Sequence, residues 1–263
     1  MDLGLKDKVA LVAASSQGLG KAVAMGLAKE GAKLALCARN AQALMATTEE
    51  IAAAHNVDIF ATTVDVTNEK SVRDFVAKST ERFGRIDICV TNAGGPPAKP
   101  FDATTTDEWR RAIDLNLMST LFLAHAVLPG MRERRWGRLI TITSLTVKQP
   151  IDGLILSNSV RAAVVGLVKS LSNEYAPYNV LVNNVCPGYT ATDRLGELSS
   201  TLAKSAGVEP SEIEKRWTTQ IPLGRLARPD EFADAVVFLA SQRASYITGQ
   251  SLSIDGGFAK GLL

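Results

Sequence analysis

A chain of 263 residues that is 46% apolar and 21% charged has the balance of a globular protein able to bury one large α/β core. Its 29 basic and 27 acidic residues leave a formal net charge of +2 with no basic tract, which excludes a nucleic-acid footprint. The densest basic stretch, Arg132 to Arg138, is broken by Glu133, Trp136 and Gly137 and reads as a solvated helix end.

In chain order, a strand over 9–14 (VALVAA) leads into SSQGLG at 15–20 and a helix over 18–30, with Gly31 suited to a left-handed C-terminus. A second strand over 34–38 (LALCA) ends at Arg39 and is followed by a helix over 41–54. A third over 59–64 (IFATTV) runs into Asp65 and a helix over 68–83, closed by Gly84. Strand 86–92 (IDICVTN) precedes a long helix over 107–135, strand 139–144 (LITITS) a helix over 157–176, and strand 180–186 (VLVNNVC) the segment 187–225. That segment reads as one irregular insertion over the carboxyl edge of the sheet, suited to a mobile substrate lid. A helix over 229–241 and a last strand over 251–254 (SLSI) complete the chain.

Such short, continuously apolar strands belong in a parallel sheet covered on both faces. Repeated β-α alternation implies right-handed crossovers, hence a Rossmann-type, doubly wound, seven-stranded parallel sheet in three α/β/α layers, a single domain over 1–263.

The first turn has the makings of a nucleotide site. Gly18 and Gly20 open a helix whose N–H groups can approach a pyrophosphate, with Ser15, Ser16, Gln17 and Leu19 completing the loop. An acid at the end of the second strand would hold the ribose 2′-hydroxyl of NAD; here Ala38 is followed by Arg39, a cation suited to the 2′-phosphate of NADP. NADP(H) is therefore favoured over NAD(H).

The motifs SSQGLG (15–20), VDV (64–66), TNAG (91–94), DLNLMS (114–119), Ser144, PGYTATD (187–193) and GQSLSIDGG (249–257), in this order and each at a strand end or turn, identify a resemblance to the short-chain dehydrogenase/reductase family over essentially the whole chain. Within it the likeness is to 3-oxoacyl-[acyl carrier protein] reductases. The resemblance implies that Asp65 and Val66 flank the adenine and that Asn92, Ala93 and Gly94 lead toward the nicotinamide ribose. It implies that Pro187 and Gly188 pack beside the nicotinamide, with Thr190 or Thr192 binding its carboxamide or the diphosphate. Two departures stand out. Ala13-Ala14 replaces the Thr-Gly of the family's glycine loop, costly only if the backbone there has a positive φ. More seriously, of the four catalytic groups the resemblance implies, Asn116 and Ser144 are present, but Ser157 stands for the tyrosine that donates a proton and Arg161 for the lysine that tunes it.

An aliphatic hydroxyl is a far weaker acid than a phenol, and with the phenol gone the tuning cation loses its purpose, although arginine can still donate to ribose hydroxyls. Tyr189, Lys148 or a water held by Ser144, Ser157 and Asn116 are the candidate substitutes for the donor. Two readings follow: an atypical NADP(H)-dependent oxidoreductase acting on a small-molecule carbonyl, alcohol or acyl thioester, or a catalytically impaired nucleotide-binding sensor or assembly subunit. Hydrolysis is disfavoured, since His55 and His125 fall on helices and no G-x-S-x-G elbow is present. Leu154, Ile155, Leu195 and Leu198 suggest an apolar substrate pocket.

Neither histidine has a partner at ligand spacing, so no metal is expected. Cys37, Cys89 and Cys186 lie in apolar runs and read as buried, reduced thiols. With no signal peptide and no stretch of membrane-spanning length recognised, the expectation is a cytoplasmic protein away from membranes. The resemblance further implies a homotetramer built on helices 107–135 and 157–176 and on the tail 249–263.

Overall fold

The computed structural model describes residues 1–262. These form one seven-stranded parallel sheet in the order β3-β2-β1-β4-β5-β6-β7. The strands are β1 (Val9–Ala13), β2 (Lys33–Ala38), β3 (Ile59–Thr63), β4 (Ile88–Thr91), β5 (Gly137–Ile142), β6 (Val180–Pro187) and β7 (Ser251–Ile254). Alternation within each strand sends side chains to two separate cores. Ala10 and Val12 of β1 join α1 (Gly18–Lys29), α2 (Ala41–Ala54) and α9 (Pro229–Ala240) on one face. Val9, Leu11 and Ala13 join α3 (Glu69–Phe83), α5 (Ser119–Glu133) and α6 (Ile155–Tyr175) on the other. The three layers expected from the sequence are the layers found. Gly31 (φ 77°) and Gly84 (φ 79°) take the left-handed conformation that ends α1 and α3.

Four expectations need correction. The helix expected over 107–135 is α4 (Thr106–Ile113) and α5 joined through a π turn at Asp114–Met118, an insertion of the kind found at functional sites. Taken together, these 28 residues are long and apolar enough to cross a bilayer, contrary to the sequence reading. Here Leu123, Val127, Leu128 and Met131 of that helix are buried in the α3/α5/α6 core, which accounts for the apolarity. The segment 187–225 is less irregular than expected: α7 (Asp193–Ala206) and α8 (Pro210–Gln220) form a helical pair, closed by Ala203, Ile213 and Trp217. Finally, Arg138 is no part of a solvated helix end. It lies on β5, 2% exposed, stacked on Trp136 at 4.5 Å and donating to the carbonyls of Gly137 (2.9 Å), Asn179 (3.4 Å) and Ser241 (3.5 Å). All three cysteines are buried and unpaired; burial pushes the Cys37 thiol up to about 12 and raises the other two as well.

Chain order reverses between β1 and β4, the switch point where a doubly wound sheet opens a crevice at its carboxyl edge. The strand ends that carry the sequence motifs converge there.

Candidate active site

A cleft of about 570 Å³ runs along this edge, from the Arg39 end of β2 to the helical pair after β6. Of the residues expected to bind nucleotide, Ser16, Gln17, Gly18, Leu19, Arg39, Asp65, Val66, Asn92, Ala93, Gly94, Pro187, Gly188 and Thr190 line it. Two others stand behind the wall. The Ser15 side chain is fully buried and its hydroxyl donates to the Cys37 carbonyl (3.3 Å), tying β1 to β2. Gly20 faces the end of β1, where a Cβ would lie 2.2 Å from the Ala14 carbonyl oxygen, so glycine here lets the helix approach the strand.

The loop carries a strained residue. Ala14, where the family motif has glycine, has a φ of 49°. An L-residue in the left-handed region costs about 1–2 kcal/mol. Gly18, at φ 56°, takes the same conformation without that cost. At the adenosine end, Asp65 accepts from the Thr67 N–H (3.0 Å) and hydroxyl (2.8 Å), and these bonds, with the charge of Arg39, hold its carboxyl below the usual range. Arg39 is exposed and has no carboxylate partner within ion-pair distance among the described residues, so its guanidinium is available to an anion. Toward the middle, the Thr190 hydroxyl is buried, lines the cleft and has no hydrogen-bond partner among the described residues. A buried orphan polar atom on a cleft wall calls for a ligand atom or water. Gly18, Arg39, Asp65 and Thr190 thus bring to one cleft the kinds of donor and acceptor that the resemblance assigns to a dinucleotide's phosphates, adenine and carboxamide.

The catalytic half differs more from expectation. Ser144 and Ser157 both line the cleft. The Thr146 N–H donates to Ser144 Oγ (3.2 Å), and Thr146 Oγ1 lies 3.1 Å from Ser157 Oγ. Asn116, in the π turn, donates through Nδ2 to the Gly94 carbonyl (3.0 Å) while its Oδ1 is buried without a partner among the described residues. It borders a cavity of about 10 Å³ shared with Asn92, Thr120, Thr143 and Arg161, the size of one water. Arg161 is 8% exposed, with Nη1 donating to the carbonyls of Ile142 (3.2 Å) and Thr143 (2.8 Å) and Nη2 to that of Gly94 (3.4 Å). The guanidinium therefore clamps the ends of β4 and β5, leaving fewer donors for a ribose than the sequence suggested. Burial, with the nearby charge of Arg194, lowers it to about 10.

The candidate replacement donors fare unequally. Tyr189 lines the cleft but is stacked on Trp217 (4.7 Å) and edge-on to Phe258 (5.3 Å), and burial pushes its phenol up to about 12. Lys148 follows the turn Leu145–Val147 and is not among the cleft-lining residues. Leu154, Leu195 and Leu198 line the cleft with Leu145 and Ile151; Ile155 does not.

Two residues escaped the sequence reading. Thr146 is one, and the S-x-T spacing after a strand, which suits a hydroxyl-capped turn, was the signal for it. Arg194, in the first turn of α7, is the other: Nη2 donates to the carbonyls of Gly95 (3.4 Å) and Pro96 (3.1 Å), fastening the helical pair to the loop after β4. No local pattern foretells that contact, which joins residues almost a hundred positions apart.

A family model described as Enoyl-(Acyl carrier protein) reductase matches residues 13–259. The chain is 34% identical over 257 residues to the 3-oxoacyl-[acyl-carrier-protein] reductase FabG of Aquifex aeolicus (strain VF5), covering 98% of this chain and 99% of that protein. Among solved structures it is similar to L-sorbose reductase from Gluconobacter frateurii complexed with NADPH and L-sorbose (TM-score 0.94, 32% identity, all of both chains). It is also similar to a 7 alpha-hydroxysteroid dehydrogenase complexed with NADH and 7-oxo glycochenodeoxycholic acid (TM-score 0.89, 31% identity, 100% of this chain and 98% of that one).

Proposed function

The chain belongs to the short-chain dehydrogenase/reductase family, and from that premise we propose that it is an NADP(H)-dependent oxidoreductase that interconverts a carbonyl and an alcohol without the family's phenolic acid. The observation that carries the reading is the convergence of Gly18, Arg39, Asp65 and Thr190 with the Ser144 and Ser157 hydroxyls on one cleft. Relatives were solved with either nicotinamide cofactor. Arg39, which follows Ala38 at the strand end and forms no ion pair among the described residues, favours the 2′-phosphate form here.

Bound NADPH supplies a hydride to the carbonyl carbon. The chain's own contribution is to orient the carbonyl and stabilise negative charge on its oxygen. Ser144 donates to that oxygen, and Arg161 holds the Thr143 carbonyl one residue before it, stiffening the strand end that presents the serine. Tyr189, held between Trp217 and Phe258 by ring contacts, serves as an apolar wall, and in this reading the final proton is drawn from solvent. Loss of a matched general acid lowers the rate by roughly 10²–10⁴-fold. The apolar lining by Leu145, Ile151, Leu154, Leu195 and Leu198 suits a substrate with an apolar body beside its carbonyl, such as a 3-oxoacyl thioester. A cytoplasmic homotetramer accords with this reading, the exposed Ile113 on α4 and Leu252 on β7 lying on the elements expected to pair.

The inward anchoring of Arg161 favours one rival, a nucleotide-binding protein without turnover. Assay of NADPH oxidation over ketones, aldehydes and acyl thioesters separates the two. Turnover abolished by Ser144→Ala supports the oxidoreductase; NADPH binding with no turnover of any carbonyl supports the rival.

A further inference from the structure

We propose that Thr146 is a positioning residue that frees the Ser144 and Ser157 hydroxyl protons to act as paired donors to a single substrate oxygen; the proposal rests on the carbonyl-reducing reading above. A serine hydroxyl has one proton and two lone pairs. The Thr146 N–H occupies a lone pair of Ser144 Oγ at 3.2 Å. Its hydroxyl, 3.1 Å from Ser157 Oγ, occupies one on Ser157 when it is the donor. One residue then meets an acceptor need of both serines and leaves both O–H groups for the cleft they line.

The surroundings support that assignment. Thr146 is 3% exposed, so bulk water does not compete for its hydroxyl. Other hydroxyls on the helices, those of Ser79, Ser119 and Thr120, donate back to the carbonyl four residues earlier. Ser157 makes no such bond among the described residues, and Thr146 is its partner. Ser157 stands in the first turn of α6 and Thr146 in the turn Leu145–Val147 packed against it, so the direction of the Ser157 hydroxyl is set by that neighbouring turn.

Chemically, two aligned hydroxyls do part of a phenol's work. As the carbonyl carbon gains the hydride, the π pair moves onto oxygen, where both serines donate to the growing negative charge. The alkoxide then takes a proton from water, so ketone, NADPH and H⁺ become alcohol and NADP⁺. Removing one preorganised donor to such an oxyanion typically lowers kcat by about 10²–10³-fold, and misdirecting one that is still present costs less, about tenfold.

The test is a double-mutant cycle of Thr146→Val and Ser157→Ala, read as NADPH oxidation with the best carbonyl of the panel. Valine keeps the shape and the backbone N–H but removes the hydroxyl. We expect Thr146→Val to lower kcat about tenfold with KM unchanged, Thr146→Ser to restore it to within about twofold, and Thr146→Val to add less than about twofold in the Ser157→Ala background. A full kcat loss from Thr146→Val in that background, or none in the wild type, overturns the role of Thr146 while the reductase reading stands. A wild type that binds NADPH yet reduces no carbonyl overturns both. Melting temperatures check folding, and Thr146→Ala replaces the valine variant in the cycle should that variant melt early.

Discussion

Ala14→Gly tests the most local departure from the family motif, and its sign is diagnostic. At an ordinary φ, replacing alanine by glycine destabilises by about 0.5–1 kcal/mol, because the unfolded chain gains freedom. At the observed φ of 49° the methyl group instead carries a left-handed penalty of about 1–2 kcal/mol. Against this stands glycine's entropic cost of about 0.4–1 kcal/mol, leaving a net gain of about 0–1.6 kcal/mol, centred on about 0.8 kcal/mol. For 263 residues the unfolding entropy is about 0.55 kcal/mol/K, so the melting temperature should rise by about 1–2 °C. Ala14 also lines the cleft beside Gly18, so removing its methyl lets a pyrophosphate come closer and should tighten NADPH binding about two- to tenfold. Differential scanning calorimetry and isothermal titration would measure the two effects. Ala13→Gly is the internal control: Ala13 is a fully buried residue of β1 whose φ is not positive, and that change should lower the melting temperature. A fall in melting temperature for Ala14→Gly as large as that for Ala13→Gly would refute the strained-loop account.

Arg39→Ala should weaken NADPH binding roughly 10- to 100-fold, the range of a lost charge-assisted hydrogen bond, with NADH affinity unchanged; equal weakening of both cofactors would show that Arg39 does not read the 2′-phosphate. Stability should fall at alkaline pH. Burial raises Cys37 from 9.0 to about 12, and Cys89 and Cys186 shift the same way, so above pH 9 the unfolded chain releases protons that the folded chain keeps. Each thiol then lowers stability by about 1.4 kcal/mol per pH unit, until the pH reaches its folded value. Melting curves at pH 8, 9 and 10 check this, and Cys37→Ala should make the decline shallower; a flat profile to pH 10 would contradict the burial of these thiols.

The order of the strands' short apolar runs, the glycines at 18, 20, 31 and 84, and the absence of tyrosine and lysine at Ser157 and Arg161 were all legible in the sequence, because each rests on local periodicity, local backbone freedom or residue identity. The helical pair within 187–225 was less legible, since its amphipathic pieces close on one another through Ala203, Ile213 and Trp217 and not through a strong local pattern. Arg138 reads as one more charge in a basic cluster until β5 carries it inside, where three backbone carbonyls and an indole face surround it.

For the candidate site, the chain itself determined which groups are available: a glycine-opened helix, a cation at Arg39, serines at 144 and 157, and no phenol at the expected place. What those groups do to one another depended on the tertiary structure. The positive φ that makes Ala14 costly, the turning of Arg161 toward three strand-end carbonyls, the burial that raises the Tyr189 phenol, and the joining of Ser144 to Ser157 through Thr146 all arise from contacts between separate elements of the fold or from the backbone conformations at their ends. Residue type sets what a group can donate or accept, while the direction of a hydrogen bond and the dielectric around a charge are decided only when the strand ends meet.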